Sequence, residues 1–323
     1  MANNITIKVS IGIILNENNE ILLEQRPKNE SYPFYWGFPG GKVEKNELPN
    51  DTLNRELKEE LDIDIIKAYP WVNHIFYKQN IKYHLLFYRV IQWQGNIYGK
   101  EKQNLQWVNI NQINKIDNLL PSTFYPIRWL KIPNTYGITS IQNEKNIESF
   151  LIRLDQALSK GLSLIQFREP DWPDGISSKS LYKAMNLVLD MCKKHNARLL
   201  INSSHPESWW REANGLHLRS TDMESFHYKS NKNRSNFLTA VSTHNSNDLE
   251  FAFNKLNADF AVLGPVNNTL THPGELGMGW SNFQKLVKEA KLPVFSLGGQ
   301  SEKCRELAYQ HGAHGIAGIR SFI

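Results

Sequence analysis

The chain has almost no cysteine, no block of basic residues and no apolar run that could cross a bilayer. Of its 323 residues two are cysteine, Cys192 and Cys304, far apart and without metal-ligand spacing. That argues against a disulfide framework or a zinc site and fits a reducing compartment. The opening MANNITIKVSIGIILNENNE lacks the apolar run of a signal peptide, so a cytoplasmic protein without a membrane partner is expected. Charge of one sign is also scarce: 37 Lys and Arg stand against 32 Asp and Glu, a net +5. Scattered in this way, the charge suits small anions such as nucleotides, and no direct DNA binding is expected.

What the chain does have is apolar content, 41% of its residues, enough for two domains with a core each. Its texture changes near residue 131. Before that point the apolar runs are strand-like: IKVSIGIIL, EILLEQR, WVNHIFY, YHLLFYRVIQW and LQWVNI, separated by Asn-rich turns. Helices are predicted over about 49–61 and near 123–131, which makes a mixed sheet with few helices. From Tyr136 onward short strands alternate with amphipathic stretches such as Ile147, Leu151, Leu154 and Leu158. YGITS, LIQFRE, RLLINS, GLHLRS, LTAVST, FAVLGPV, VFSLGG and GIAGIRS are eight strand candidates, and that alternation predicts a compact (β/α)8 barrel. The expected domains are 1–131 and 135–323, joined by KIPNT, with YKSNKNRSN at 228–236 a mobile loop.

One stretch carries chemistry: GFPGGKVEKNELPNDTLNRELKEELDID, residues 37–64. On a helix Glu56, Glu59 and Glu60 share a face, beside an apolar stripe of Leu53, Leu57 and Leu61. Like charges packed so closely repel, so a cation among them is the natural complement. Pro49 suits the first helical turn, and the pair Gly40-Gly41 lets backbone approach a ligand closely. Hard carboxylate oxygens favour Mg2+ or Mn2+, which bridge phosphate oxygens and activate water. This is chemistry for cutting a phosphoanhydride.

The same segment resembles a Nudix box, matching at Gly41, Glu47, Arg55, Glu56, Leu57, Glu59, Glu60 and Ile63 and departing at Asp62, where the family usually has Gly. Asp tolerates the left-handed conformation that such a glycine adopts, so intact chemistry is expected. Within the family, residues 5–130 resemble MutT-type 8-oxo-dGTP diphosphatases, and the expected fold is a Nudix α/β/α sandwich with a mixed sheet. The resemblance implies that nucleoside triphosphates, oxidised ones included, are cut to the monophosphate and pyrophosphate, which keeps damaged nucleotides out of DNA. It further implies that Glu56, Glu59, Glu60 and Glu101 hold the metal and activate water, that Arg55 orients them and that the Gly40 carbonyl reaches the ion. Arg26 would hold the phosphates, and Gly37, Phe38, Pro39 and Gly40 would contact the purine. The family's base-reading Asn is replaced in LLPSTFYPI by Thr123 or Phe124, depending on how the extra residue is aligned. That puts the preference for 8-oxoguanine in doubt, since an amide on a purine edge is a strong selectivity device.

Residues 135–323 resemble thiamine phosphate synthase and its relative TenI, through IQFRE, LLIN, GLHL, VSTHN, ADFAVLGPV, LGG and GIAGIRS. The resemblance implies a TIM barrel whose ligand site draws on Gln166, Arg168, Asn202, His244, Thr269, Thr271, Gly298, Gly299 and Ser321. In the synthases Mg2+ on two aspartates and two lysines hold a pyrimidine diphosphate. Here Ser203, Pro170 and His272 stand where an aspartate and both lysines belong, leaving Asp222 of the metal ligands. Losing that charge predicts little or no synthase activity. A thiamine-pathway monophosphate bound at Gly298-Gly299 and Ser321, and His244 as an acid-base group of the tautomerase kind, are the readings left for the barrel.

Overall fold

The structure is a computed structural model that describes residues 5–78, 80–226, 237–268 and 276–323. Two compact units emerge, residues 1–132 and 133–323. The loop 228–236 and the positions of Thr269, Thr271 and His272 lie outside the described residues.

The first unit is built from two small sheets. Its strands are β1 (Thr6–Ile14), β2 (Glu20–Gln25), β3 (Trp36–Gly37), β4 (Gly40–Lys42), β5 (Asp64–Lys78), β6 (Ile81–Gln94) and β7 (Leu105–Asn109), with helices α1 (Pro49–Leu61) and α2 (Phe124–Leu130). One sheet runs β4-β1-β6-β5, and the other β3-β2-β7. Within the first, β1 and β6 are parallel while β4 and β5 run antiparallel to their neighbours, which makes it mixed. The strand β5 begins at Asp64, seven residues before WVNHIFY, because register shifts around Lys67 and Pro70 break the alternation that would have announced it. The two-residue β3 and three-residue β4 lie in the Gly-rich turn, where no apolar periodicity marks a strand.

Helix α1 is placed by its leucines. Leu53, Leu57 and Leu61 are fully buried in one cluster with Ile14, Leu22, Ile63 and Val90. Pro49 opens the helix, and Ser10 on β1 donates its hydroxyl to the Pro49 carbonyl at 2.7 Å, tying helix start to strand. The helix ends at Asp62, left-handed at φ 57° and ψ 31°, whose N–H returns to the Leu57 carbonyl. With its apolar stripe pinned, the helix turns Glu56 and Glu60 toward β4 and the Gly-rich turn, while Glu59 stays exposed beside Arg55.

In the second unit β8 (Thr135–Ile138), β9 (Leu164–Phe167), β10 (Arg198–Asn202), β11 (Gly215–Leu218), β12 (Leu238–Thr243), β13 (Phe260–Leu263), β14 (Val294–Leu297) and β15 (Gly315–Gly318) close into a parallel barrel. Around it run α3 (Ile147–Ser159), α4 (Lys179–Lys194), the single turn α5 (Glu207–Trp210), α6 (Ser246–Asn254), α7 (Gly279–Val287) and α8 (Arg305–Gln310). Five of the eight strands are buried at every position, and the other three show only single partly exposed ends in β10 and β14 and two such positions in β12, as expected of strands covered on both faces. Tyr136, Phe260 and Phe295 meet edge-on or tilted within the barrel, with centroids 5.0–5.9 Å apart.

Leu57 is fully buried, so Leu57→Ala should lower the stability of the first unit by about 3 kcal/mol through lost transfer energy and a cavity. Leu48→Ala, at a position 66% exposed, should change it by less than about 0.5 kcal/mol. Denaturant titration of the two variants checks the ordering.

Candidate functional site

The acidic face of α1 is organised by one arginine. Arg55 donates from Nε and Nη2 to Glu47 at 2.9 and 3.1 Å, and from Nη1 to Glu56 at 2.9 Å and Glu59 at 3.2 Å. Glu47 also accepts from the Thr52 hydroxyl at 2.7 Å and the Glu44 N–H at 3.0 Å. Arg55, Thr52 and Glu44 together hold the Glu47 carboxyl down at about 2, so this glutamate works as a fixed anchor.

Glu60 differs. It points inward, takes the Gly40 N–H at 2.9 Å, and has its pKa pushed up to about 9 by burial and by Glu24, Glu56 and Glu101, against the pull of the Gly40 bond. Burial likewise raises Glu56 despite Arg55. The structure thus gathers Glu56, Glu60 and Glu101 as the sequence suggests, and adds Glu24, which the sequence reading missed. Glu24 lies on β2 opposite Gly37 on one side and Leu105 on the other. Burial, then Glu30 and Glu101, push it up to about 7, with Arg26 and a hydrogen bond from Gln103 opposing. Only the pairing of β2 with β3 and β7 makes it a neighbour of Glu60; the alternation of EILLEQR puts it on the side away from Leu23, but no motif marks it.

Glu101 sits in the loop between β6 and β7, and that loop is tied to the end of α1. The Glu60 carbonyl accepts from both the Lys100 N–H and the Gln103 side-chain amide at 2.9 Å, while the Gln103 side-chain oxygen Oε1 takes the Glu101 N–H at 3.0 Å. One glutamine side chain therefore joins the acidic helix to the acidic loop.

The Gly-rich turn is close-fitting. Gly40 has φ 136°, and a Cβ there would lie 2.2 Å from the Ser10 carbonyl oxygen; one on Gly41 would lie 2.0 Å from Glu56 Oε1. Glycine is required at Gly40, where backbone crowds the position, whereas a side chain on Gly41 would have to displace the Glu56 carboxylate. Phe38 is buried, and the Pro39 carbonyl accepts from the Gly12 N–H at 2.9 Å. A Cβ on Gly37 would meet Leu120 at 2.6 Å, so this segment packs against 118–123. There Thr123 is buried with its hydroxyl committed to the Leu120 carbonyl at 2.7 Å, whereas Phe124 is 66% exposed. Arg26 donates to the Ser31 carbonyl at 2.8 Å and pairs with Glu30.

A divalent cation fits this chemistry: four hard carboxylates, with Glu24, Glu56 and Glu60 pushed toward the protonated form by burial and by their acidic neighbours, beside a turn stripped of side chains. Among the described residues no three His, Cys, Asp or Glu side chains stand as a finished ligand set. Arg55 still engages Glu56 and Glu59, and Glu60 still engages Gly40.

The barrel tells a different story. Gln166 and Asn202 turn inward into a buried hydrogen-bond chain: Asn202 donates to Gln166 at 2.9 Å, Gln166 to Tyr136 at 3.4 Å, Tyr136 meets His217 Nδ1 at 3.1 Å and His217 Nε2 meets Ser242 at 2.9 Å. Burial drives the His217 imidazole down to about 3, so it is neutral. At the mouth, Asp222 is taken by protein. Arg219 grips it from Nε and Nη2 at 2.7 and 2.9 Å and Ser203 donates its hydroxyl to it. Burial alone would raise the Asp222 pKa, yet these partners hold it low. With one carboxylate, a serine in place of another and a guanidinium in the position of positive charge, the residues do not fit the Mg2+ of a diphosphate site.

Arg168 makes no side-chain hydrogen bond or ion pair among the described residues. His244 meets the Gly264 carbonyl through Nδ1 at 3.1 Å, leaving Nε2 outward. Gly298 and Gly299 both have positive φ, 100° and 65°, a backbone shape that turns N–H groups toward an anion. Ser321 is exposed, and among the described residues no hydrogen bond joins it to that pair.

With these geometries in hand, comparison with known families assigns both halves. The profile described as a NUDIX domain matches residues 6–130 and that described as thiamine monophosphate synthase matches residues 135–322. The chain belongs to the Nudix family over its first unit and to the thiamine monophosphate synthase family over its second. An 8-oxo-dGTP diphosphatase of Escherichia coli is 34% identical over 113 residues, covering 34% of this chain and 86% of that protein. A protein of Aquifex aeolicus named "Putative thiamine-phosphate synthase 2" is 32% identical over 194 residues, covering 60% of this chain and 100% of that protein. The solved thiamine phosphate pyrophosphorylase of Pyrococcus furiosus is 19% identical, with a TM-score of 0.44 over 58% of this chain and 85% of that one. Among the described residues no helix is long and apolar enough to cross a membrane.

A pH dependence follows from the carboxylates. A group whose pKa is raised by folding contributes stability below its unfolded value and loses it as pH rises through the folded value. For Glu24 and Glu60 that span runs from 4.5 to about 7 and about 9. In chelator the first unit should therefore lose stability from pH 5 to 9, and Glu60→Gln should flatten the upper part of the fall. Calorimetric melting across that range checks it; a flat or rising profile for the unmodified protein would contradict the reading.

Proposed function

We propose that the first unit is a Mg2+-dependent hydrolase of 8-oxo-dGTP and related nucleoside triphosphates, releasing the monophosphate and pyrophosphate and so clearing damaged nucleotides from the pool. The observation that carries this reading is the meeting of Glu24, Glu56, Glu60 and Glu101 beside the bare Gly40-Gly41 turn. Glu56, Glu59, Glu60, Glu101 and the Gly40 carbonyl would hold the ion. The chemistry supplied by a bound Mg2+, or Mn2+ in its place, is positive charge at the phosphate oxygens and a more acidic water.

The chain's own residues supply the rest. Arg55 fixes Glu56 through Oε1, leaving Oε2 to accept a proton from the attacking water as the α–β anhydride breaks. Glu47, anchored on Arg55, keeps the guanidinium from drifting into the cluster. Arg26 is paired with an exposed partner, a weak attachment that a triphosphate can displace.

Base choice rests on Phe124. With the Thr123 hydroxyl committed to backbone, no side chain over 119–127 offers the paired donor and acceptor of an amide. An exposed aromatic ring stacks on any purine, so discrimination by this segment is modest. We expect kcat/KM for 8-oxo-dGTP to exceed that for dGTP by roughly tenfold, well below what a buried amide gives. Equal values would overturn the sanitising role. Glu56→Gln and Glu60→Gln should each cut kcat by a factor on the order of a hundred or more while leaving the fold intact, read as pyrophosphate release at saturating Mg2+.

A second reading concerns the barrel. The unengaged Arg168 and the positive-φ pair Gly298-Gly299 favour a thiamine-pathway monophosphate bound without metal, to be sensed or tautomerised with His244 as the acid-base group. Calorimetry on the intact chain should find binding of thiazole or thiamine monophosphate in chelator. The pyrimidine diphosphate should not bind, with or without Mg2+, and tight Mg2+-dependent binding of it would reverse the reading of Ser203 and Arg219.

A further inference from the structure

Asp62 is where the Nudix box departs from its pattern, and the structure gives the departure a task. In the left-handed conformation the Asp62 N–H closes α1 on Leu57, something a glycine would do with less backbone strain. What glycine would lack is a carboxylate. That of Asp62 accepts from the Tyr98 hydroxyl at 3.3 Å and from the ammonium groups of Lys100 and Lys58, each at 3.4 Å. Tyr98 and Lys100 belong to the loop that carries Glu101. The same loop wraps the residue's backbone: the Tyr98 N–H reaches the Leu61 carbonyl at 3.4 Å, the Lys100 N–H reaches the Glu60 carbonyl at 2.9 Å, and a Cβ on Gly95 would lie 2.8 Å from the Asp62 carbonyl oxygen.

We propose that Asp62 is a positioning residue: its carboxylate tethers the 98–103 loop to the end of α1 and so holds Glu101 beside Glu60. The inference rests on the hydrolase reading of the first unit. Lys58 takes part without touching the loop, and its second partner is Asp64 at 3.0 Å; the tether itself is the pair of bonds from Tyr98 and Lys100. Both are long and reach a partly exposed carboxylate, so the effect is a matter of a few-fold, and salt weakens it.

The test separates tether from structure. In metal-free protein Asp62→Gly should speed amide hydrogen exchange at Lys100 and Glu101 by about threefold or more while leaving the melting temperature unchanged or higher, because glycine suits the left-handed position. By calorimetry it should weaken Mg2+ binding by about threefold, with kcat at saturating Mg2+ within about twofold of the parent. Asp62→Asn, which tolerates the same backbone and keeps an acceptor for Tyr98, should fall between. In a Glu101→Gln background Asp62→Gly should add nothing to the loss of Mg2+ affinity. Unchanged exchange and unchanged Mg2+ affinity in Asp62→Gly would overturn the tether, as would an equal loss in the Glu101→Gln background. If instead Glu60→Gln and Glu101→Gln leave hydrolysis intact, it is the hydrolase reading that fails, and the exchange data still decide whether Asp62 holds the loop.

Discussion

Glu60 lies on the inner side of α1 with Glu24, Glu56 and Glu101 about it, and burial together with mutual repulsion disfavours full ionisation of Glu24, Glu56 and Glu60 without a cation. The geometry of the first unit is arranged to hold them there nonetheless. Leucines on the neighbouring stripe pin the helix to the sheet, Ser10 fixes its start and Asp62 its end. Arg55 pairs with Glu47, Glu56 and Glu59, while Glu60 has no ion pair among the described residues. A protein that needed only a stable helix would place neutral residues on that face. Burial and like charge favour the protonated form of Glu24 and Glu60, and a divalent ion is the group that would supply the missing positive charge.

The second unit has met the same electrostatic problem in the opposite way. Where a diphosphate site would need an ion between two aspartates, this barrel keeps Asp222 and satisfies it internally with Arg219 and Ser203. The charge is balanced within the chain, and nothing there calls for metal. One unit thus leaves negative charge open, while the other has closed it and keeps Arg168 unengaged for an anion. This contrast in charge, beside family membership, is why we propose hydrolysis for the first unit and metal-free phosphate binding for the second.

Much of this was legible in the sequence, for physical reasons. The leucine stripe and Pro49 define α1 over 49–61, and all eight barrel strands announce themselves as short apolar runs because both faces of each are covered. Asp62 as a left-handed helix end followed from what that position demands of any side chain. The missed features have different causes, long-range strand pairing for Glu24 and an unmarked local turn for Arg219 and Asp222. Glu24 reaches the acidic cluster only through the partners of β2, and Arg219 meets Asp222 only once β11 and the turn after it are folded. The early start of β5 was hidden by bulges at Lys67 and Pro70. The alignment leaves Thr123 and Phe124 as alternatives; the first is buried and the second exposed.

The central claim is that the inner carboxylates carry protons until a divalent ion displaces them. Its most direct measurement is calorimetric titration of Mg2+ into the intact, metal-free protein near pH 7.5, repeated in buffers of different ionisation enthalpy to count protons. The account predicts release of roughly one proton for each ion bound, with release abolished or sharply reduced in Glu60→Gln. Mg2+ binding without proton release, or no binding to the first unit at any pH, would contradict it.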